Sequence, residues 1–242
     1  MKTLDALADI DRPFVGWQFT GPWQIPEAHR LLFVPLATAR ERIKEIVESG
    51  VYVDDFNKPC PEYGYSVIAV AGGRGPRRVA FAVSTDRQSF DLSFGEHNIA
   101  PDLAVVTYPM FKAALLAIGA DWDAEWTYAH ASRNDVVKVP IDFGSAVSAF
   151  RIEGAPQVPL DPTFPKSAFQ VPWIIYLSAE RAAGVTLARD ILTERTPDGG
   201  LLASATTERL DPTNPEHVRR ARILAETMIA CTAATRRQLS GS

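Results

Sequence analysis

Five prolines between Pro156 and Pro172 constrain the fold of this chain more than any other feature. They fall within 17 residues. Because proline lacks an amide hydrogen and has a fixed φ, no regular helix can run through them. We expect an extended crossing over 156–172 between an N-terminal lobe, residues 1–155, and a C-terminal lobe, residues 173–234, followed by a loose tail over 235–242. The two lobes are expected to pack as one compact unit.

The N-terminal lobe shows both helical and strand periodicities. An apolar stripe predicts an amphipathic helix over Leu36–Ser49, ended by Gly50. A Gly-rich connection between two β-rich runs predicts a hairpin, and a third run extends it. The predicted strands are 63–70, 77–84 and 89–94, followed by a helix over 107–118 and a strand over 121–128.

The C-terminal lobe repeats this order of strands before a helix. An apolar strand is predicted over 173–177, with Ser178 as the cap of a short helix. Strands 190–196 and 201–206 flank an Asp-Gly turn, and a helix begins with Asn214 as N-cap and runs to about Thr232. The fold class is therefore α+β, with largely antiparallel sheets and three main helices, an order compatible with two similar lobes.

Composition and chain ends exclude several classes of protein. Of the 242 residues, 46% are hydrophobic and 22% charged, which is typical of a packed protein. A net charge of −4 argues against a nucleic-acid-binding protein. The N-terminus lacks the apolar run of a signal peptide, and no apolar stretch approaches the roughly 20 residues of a membrane span. Cys60 and Cys231 form no CxxC motif, so we expect a cytoplasmic protein without a membrane or nucleic-acid partner.

Motifs for catalysis or for cofactor binding do not emerge. The Gly-rich run 72–76 leads into a strand, whereas a phosphate loop leads into a helix. The four histidines, at positions 29, 97, 130 and 217, form neither HExxH nor a His/Cys cluster. No GxSxG or SxxK nucleophile motif occurs. We therefore expect no catalytic residue, no metal and no cofactor, and a protein that is not an enzyme.

The most informative segment for binding is the predicted strand over 121–128. Alternation along a strand places Trp122 and Trp126 on one face and Asp121, Asp123 and Glu125 on the other. The aromatic face is expected to pack against a helix. The carboxylates would lie about 6.5–7 Å apart, comparable with phosphates along a nucleic acid strand.

The acidity of the chain is regional. Between Asp86 and Asp135 there are eight acidic and three basic residues. One interpretation is a solvated strand face that favours solubility. The other is an acidic patch that docks a basic partner, with the five residues named above as candidate contacts.

Three stretches of the C-terminal half together resemble the immunity protein 52 family. They are Pro172–Ser178 (PWIIYLS), Gly199–Leu202 (GGLL) and Leu210–His217 (LDPTNPEH), the last followed by a helix that contains Ala221–Leu224 (ARIL). The family comprises bacterial proteins encoded beside polymorphic or type VI secreted toxins. The resemblance covers mainly residues 172–230.

The resemblance implies an α+β immunity protein without enzymatic activity. Such a protein binds and neutralises a cognate toxin, often a nuclease of restriction-endonuclease fold, by occluding its active site. The motif positions then imply structural roles: a core aromatic strand, a tight turn and a capped helix. Two other classes stay open. One is a small-molecule-binding or enzymatic α+β domain with a pocket along the proline-rich crossing near Trp173 and Tyr176, and the other is an adaptor of a secretion-system or phage-like assembly. A homodimer is also compatible with the sequence.

Overall fold

The computed structural model describes most of the chain outside the proline-rich crossing. The described residues are 2–10, 14–20, 34–56, 58–84, 89–95, 102–121, 126–132, 144–150, 170–211 and 214–240. The predicted crossing therefore lies outside the described residues except for 170–172, which belong to a strand.

Groups of two or three successive strands are separated by helices along the described chain. The helices are α1 (Lys2–Ala8), α2 (Leu36–Ala39), α3 (Ile43–Ser49), α4 (Tyr108–Asp121), α5 (Ala179–Ala182) and α6 (Pro215–Ser240), with a short 3₁₀ helix at Pro61–Tyr63. The strands are β1 (Gln18–Thr20), β2 (Val34–Pro35), β3 (Ser66–Ala71), β4 (Val79–Ser84), β5 (Ser89–Phe94), β6 (Trp126–Ser132), β7 (Gly144–Phe150), β8 (Gln170–Leu177), β9 (Leu192–Arg195) and β10 (Leu201–Ser204).

These strands form one antiparallel arrangement in the order β2-β1-β3-β4-β5-β7-β6-β8-β10-β9. A five-stranded N-terminal section and a three-stranded C-terminal section are joined through the β7–β6 pair. Strand β6 pairs with β8, with a register irregularity between Ala129 and His130, so the sheet continues from the predicted N-terminal lobe into the C-terminal one. The predicted α+β class with largely antiparallel sheet is confirmed.

Helices cover the central strands. Helix α4 packs against β6, β7 and β8, and α6 packs against β8 and β10. Since successive side chains of a strand point to opposite faces, a strand buried at every position must be covered on both. Residues Trp173–Leu177 of β8 are all at most 6% exposed. Strand β8 is therefore the centre of the core, with Trp173 lying 5.2 Å from Phe111 of α4 between ring centroids.

Several sequence predictions about elements are confirmed. The 66–84 hairpin forms with Ala71 opposite Val79, and β5 extends it. Gly72 in its connection has φ +74°, and a Cβ there would lie 1.9 Å from the Arg77 carbonyl oxygen, so only glycine fits. The β9–β10 hairpin and the Ser178 cap, whose hydroxyl accepts from the Arg181 amide, also form as predicted.

Two predictions about helices are wrong, and one helix was not predicted. The helix over Leu36–Ser49 is divided, because the amides of Glu41 and Arg42 bond three residues back rather than four. Helix α6 continues to Ser240, so 235–240 is helical rather than a loose tail. Helix α1, with Leu4 and Leu7 buried against the core, was not predicted at all.

Within the described ranges, no helix combines the length and apolar character needed to cross a membrane.

Candidate functional site

The predicted strand over 121–128 differs from the structure at its first residue, whereas 122–125 lie outside the described residues. Asp121 is the last residue of α4, and the strand begins only at Trp126. The helical face of Ala114, Leu115 and Ile118 continues through Gly119, so burial of this face favours a helix up to Asp121, where the sequence predicted the start of a strand. The carboxylate of Asp121 accepts a hydrogen bond from the Thr3 hydroxyl of α1, which gives it a structural role.

The other predicted contact residues remain predictions. Trp122, Asp123 and Glu125 lie outside the described residues, and the structure describes the backbone of Trp126 but not its side chain. Elsewhere in the acidic region, Asp102 accepts a hydrogen bond from Arg77 Nε at 3.1 Å and one from the Ala104 amide at 3.0 Å. The hydrogen bond from the Ala104 amide, followed in effect by the one from Arg77, lowers the pKa of Asp102. Part of the regional acidity thus serves loop structure.

The three stretches that carry the family resemblance meet in one packed unit. Strand β8 pairs with β10, placing Leu177 opposite Leu201 and Tyr176 opposite Leu202. Trp173 Nε1 donates to the Thr206 carbonyl at 3.0 Å. We call the assembly of β8, β9, β10 and the start of α6 the C-terminal unit.

A tight turn closes the β9–β10 hairpin of this unit. The Gly199 amide bonds the Thr196 carbonyl at 2.9 Å, and the Thr196 amide bonds the Gly200 carbonyl at 3.0 Å. Gly199 has φ +85°, as expected for a three-residue hairpin loop with a bulge. Tyr176 packs so closely that a Cβ on Gly200 would lie 2.6 Å from its ring. Glycine is therefore required at 200 for packing and at 199 for its φ.

The capped helix of the third stretch also forms. Asn214 Oδ1 accepts from the amides of Glu216 and His217 at 3.0 and 3.4 Å. His217, in the first turn of α6, is only 8% exposed. Its Nδ1 accepts a hydrogen bond from the Asp211 amide at 3.1 Å. This bond connects the first turn of α6 to Asp211, which precedes the helix.

An ion-pair network links α6 to the segment before β9. Arg219 bonds both Asp190 and Glu216, and Arg220 Nε bonds Glu216 at 2.9 Å. The bond from Arg219 is the main cause that lowers the pKa of Glu216 to about 2. The hydrogen bonds that Arg219 donates to Glu216 and then to Asp190 raise the pKa of Arg219, and the bond to Glu216 has the larger effect. All these side chains are partly exposed, so solvent screens each ion pair and weakens its contribution to stability.

Trp173 and Tyr176, near which a pocket was proposed, are buried and hydrogen-bonded, and most of the proline-rich crossing along which that pocket would run lies outside the described residues. A shallow groove of about 400 Å³ instead lies beside β9, between Val185, Leu187 and Arg189 on one side and Thr193 and Arg195 on the other. It is open to solvent. Among the side chains that the structure describes, no three His, Cys, Asp or Glu residues converge as metal ligands would.

The structure also shows a feature that the sequence interpretation missed. Residues 51–56 and 58–65, here called the projection, leave the sheet between α3 and β3 through the bridges Val51–Tyr65 and Val53–Pro59. Backbone bonds from Tyr52 to Gly64 at 3.1 Å and from Cys60 to Tyr52 at 2.7 Å hold its base. The detectable signal was a turn-rich run, DDFNKPCPEYG, in which acidic and aromatic residues lie on both sides of two prolines.

The tip of the projection is held by one carboxylate. Asp54 Oδ1 accepts from the amides of Phe56 and Lys58 at 2.8 and 2.9 Å, and the Asp54 amide bonds the Lys58 carbonyl at 3.0 Å. Burial, followed by the carboxylates of Glu62 and Asp54, raises the pKa of the Cys60 thiol. The projection is therefore an ordered and acidic element.

No known protein-family model matches the chain, and no curated protein sequence is detectably similar to it.

Proposed function

We propose that this protein is an immunity protein that binds a cognate bacterial toxin and blocks the toxin's active site. The observation that supports this proposal best is the convergence of the three resemblance stretches in the C-terminal unit. Short motifs scattered over a surface would carry little weight. Motifs that pair strand to strand and share one core behave as a single structural signature.

The side chains of these motifs act within the fold. Trp173, Tyr176 and His217 each make a hydrogen bond inside the C-terminal unit. This agrees with the structural roles that the resemblance implies for the motif positions. In the proposal, the C-terminal unit is the scaffold, and binding is the task of surfaces outside it.

A nuclease toxin is the partner that fits the charge of this chain. A nuclease binds phosphates in a basic groove, and a protein with net charge −4 and a locally acidic region is attracted to such a groove at long range. An interface of about 1,600 Å² is sufficient for stable inhibition without any chemical step. In this proposal the complex forms in the cytoplasm, where the toxin would otherwise act.

Asp123 and Glu125 are the predicted charged contacts to test first. The double variant Asp123→Lys/Glu125→Lys is expected to weaken toxin binding by about 1–3 kcal/mol for each well-placed contact. Asp121 is excluded from this set because its carboxylate holds Thr3. Unchanged affinity of the double variant would place the toxin on another surface.

Co-expression tests the function itself. The open reading frame adjacent to this gene is induced in cells with and without this chain, and growth is measured. Growth arrest that this chain relieves, together with a stable complex of the two purified proteins by size-exclusion chromatography, is the expected result. Persistent arrest in the presence of the folded chain, or the absence of any complex, would contradict the proposal.

A further inference from the structure

The two most exposed large apolar side chains of the described residues lie on one short element. Phe56 is 80% exposed and Tyr63 is 55% exposed, and both belong to the projection. Isolated exposed apolar residues are common on protein surfaces. Two aromatic rings on one ordered projection are less common, and tyrosine and other aromatic residues are enriched at protein–protein interfaces.

The order of the projection reduces the cost of binding. Asp54 fixes the backbone on both sides of the tip, and the 3₁₀ turn before Gly64 is closed by the bond from its amide to the Pro61 carbonyl at 3.0 Å. Binding would therefore order two aromatic side chains but little backbone. A preorganised loop retains more of its contact energy as affinity.

The charges around these rings indicate the kind of partner. The described residues of the projection include one basic residue, Lys58, and three acidic ones, Asp54, Asp55 and Glu62. The projection is therefore negatively charged. Asp55 and Glu62 are exposed. A partner surface that accepts this element must therefore combine apolar pockets with basic surroundings.

We propose that the projection docks onto the cognate toxin, with Phe56 and Tyr63 inserted into apolar pockets of a basic toxin surface. This inference rests on the proposed immunity function and identifies where the inhibitor makes contact. Phe56 and Tyr63 are the anchors. Asp55 and Glu62 attract the basic surface and orient the approach.

The test uses surface plasmon resonance with the full chain and the purified product of the adjacent open reading frame. It measures the affinity and the association rate of the two proteins. Phe56→Ala is expected to raise Kd at least about 30-fold, as for an interface hot spot. The control Leu192→Ala truncates a 40% exposed side chain on β9, at the other end of the strand order, and is expected to leave Kd within about threefold. Thermal unfolding should show both variants folded, since surface truncations alter stability little.

A charge variant gives a second, independent measurement. Asp55→Lys/Glu62→Lys is expected to slow association about tenfold at low salt and to reduce its salt dependence, because steering depends on opposite charge. Wild-type affinity and association rate in both sets of variants would overturn the docking proposal and leave the immunity function intact. A wild-type chain that neither binds nor neutralises the toxin would overturn both. A homodimer dissociated by Phe56→Ala would assign the projection to self-association and would also overturn docking.

Discussion

The hydroxyl of Tyr176 donates a hydrogen bond to Asp198 Oδ2 at 2.6 Å. Tyr176 lies at the centre of the core on β8, and Asp198 lies in the turn between β9 and β10. The other carboxylate oxygen accepts from the Thr196 hydroxyl and, at 3.3 Å, from the Gly200 amide. One turn carboxylate therefore joins the edge hairpin to the central strand, and the bonds from Thr196 and then Tyr176 lower its pKa.

Replacement of Tyr176 by Phe should destabilise the fold by about 1 kcal/mol, the net contribution of one such bond. The pKa of Asp198 should rise towards its usual value, because one of its two main donors is lost. Urea denaturation at pH 7 measures the first effect and NMR titration the second. Tyr63→Phe, on a ring that is 55% exposed, is the control and should match the wild type. An unchanged denaturation midpoint in Tyr176→Phe would show that the bond contributes nothing to the fold.

Gly200→Ala should destabilise the protein by about 1–3 kcal/mol through overpacking. The added Cβ would lie 2.6 Å from the Tyr176 ring, 2.7 Å from Thr196 Oγ1 and 2.8 Å from the Leu177 carbonyl oxygen. The backbone oxygen cannot move aside without disturbing the strand pairing. Gly184→Ala is the matched control, since nothing lies within 4 Å of its Cβ position. Equal stability of the two variants in urea would contradict the packing argument.

Acidification should weaken the fold between about pH 4.5 and pH 2 through Glu216. A glutamate carboxyl has a pKa of 4.5 in the absence of perturbing neighbours, and in the folded chain the pKa of Glu216 is lowered to about 2. Because the folded pKa is the lower one, the unfolded chain binds more protons in this range. The stabilisation is therefore present above pH 4.5 and lost as the pH falls towards 2. Urea midpoints across this range should fall less for Glu216→Gln than for wild type, and parallel curves for the two proteins would refute the assignment.

Cys60 should react slowly with iodoacetamide at pH 8. Burial and the carboxylates of Glu62 and Asp54 raise the pKa of its thiol, and the thiolate is the reactive form. Glu62→Gln removes one negative charge, so the pKa should fall and alkylation should become faster. Both proteins are compared with Cys231 replaced by Ser, so that only Cys60 is measured. Identical rates would show that Glu62 does not act on the thiol.

Local signals predicted those elements that are determined within a few residues. The Asp198-Gly199 turn and the Asn214-Pro215 helix start require particular backbone angles and capping oxygens, and only a few residue types supply them. The β-rich runs on either side of a Gly-rich connection likewise identified β3 and β4, and a third such run identified β5. These features form as the sequence suggested because their hydrogen-bond partners lie nearby in the chain.

Only the tertiary structure decided which side chains are buried, paired or exposed. Asp121 ends a helix because α4 buries its apolar face against the sheet and Thr3 of α1 meets the carboxylate. His217 is buried, and its Nδ1 accepts a hydrogen bond from the Asp211 amide. Phe56 is a hydrophobic residue that the sequence alone would place inside, yet its amide donates a hydrogen bond to Asp54 Oδ1 and its side chain is 80% exposed. Hydrophobicity and periodicity describe each segment separately, whereas burial depends on which distant segments come together, and that is a property of the whole folded chain.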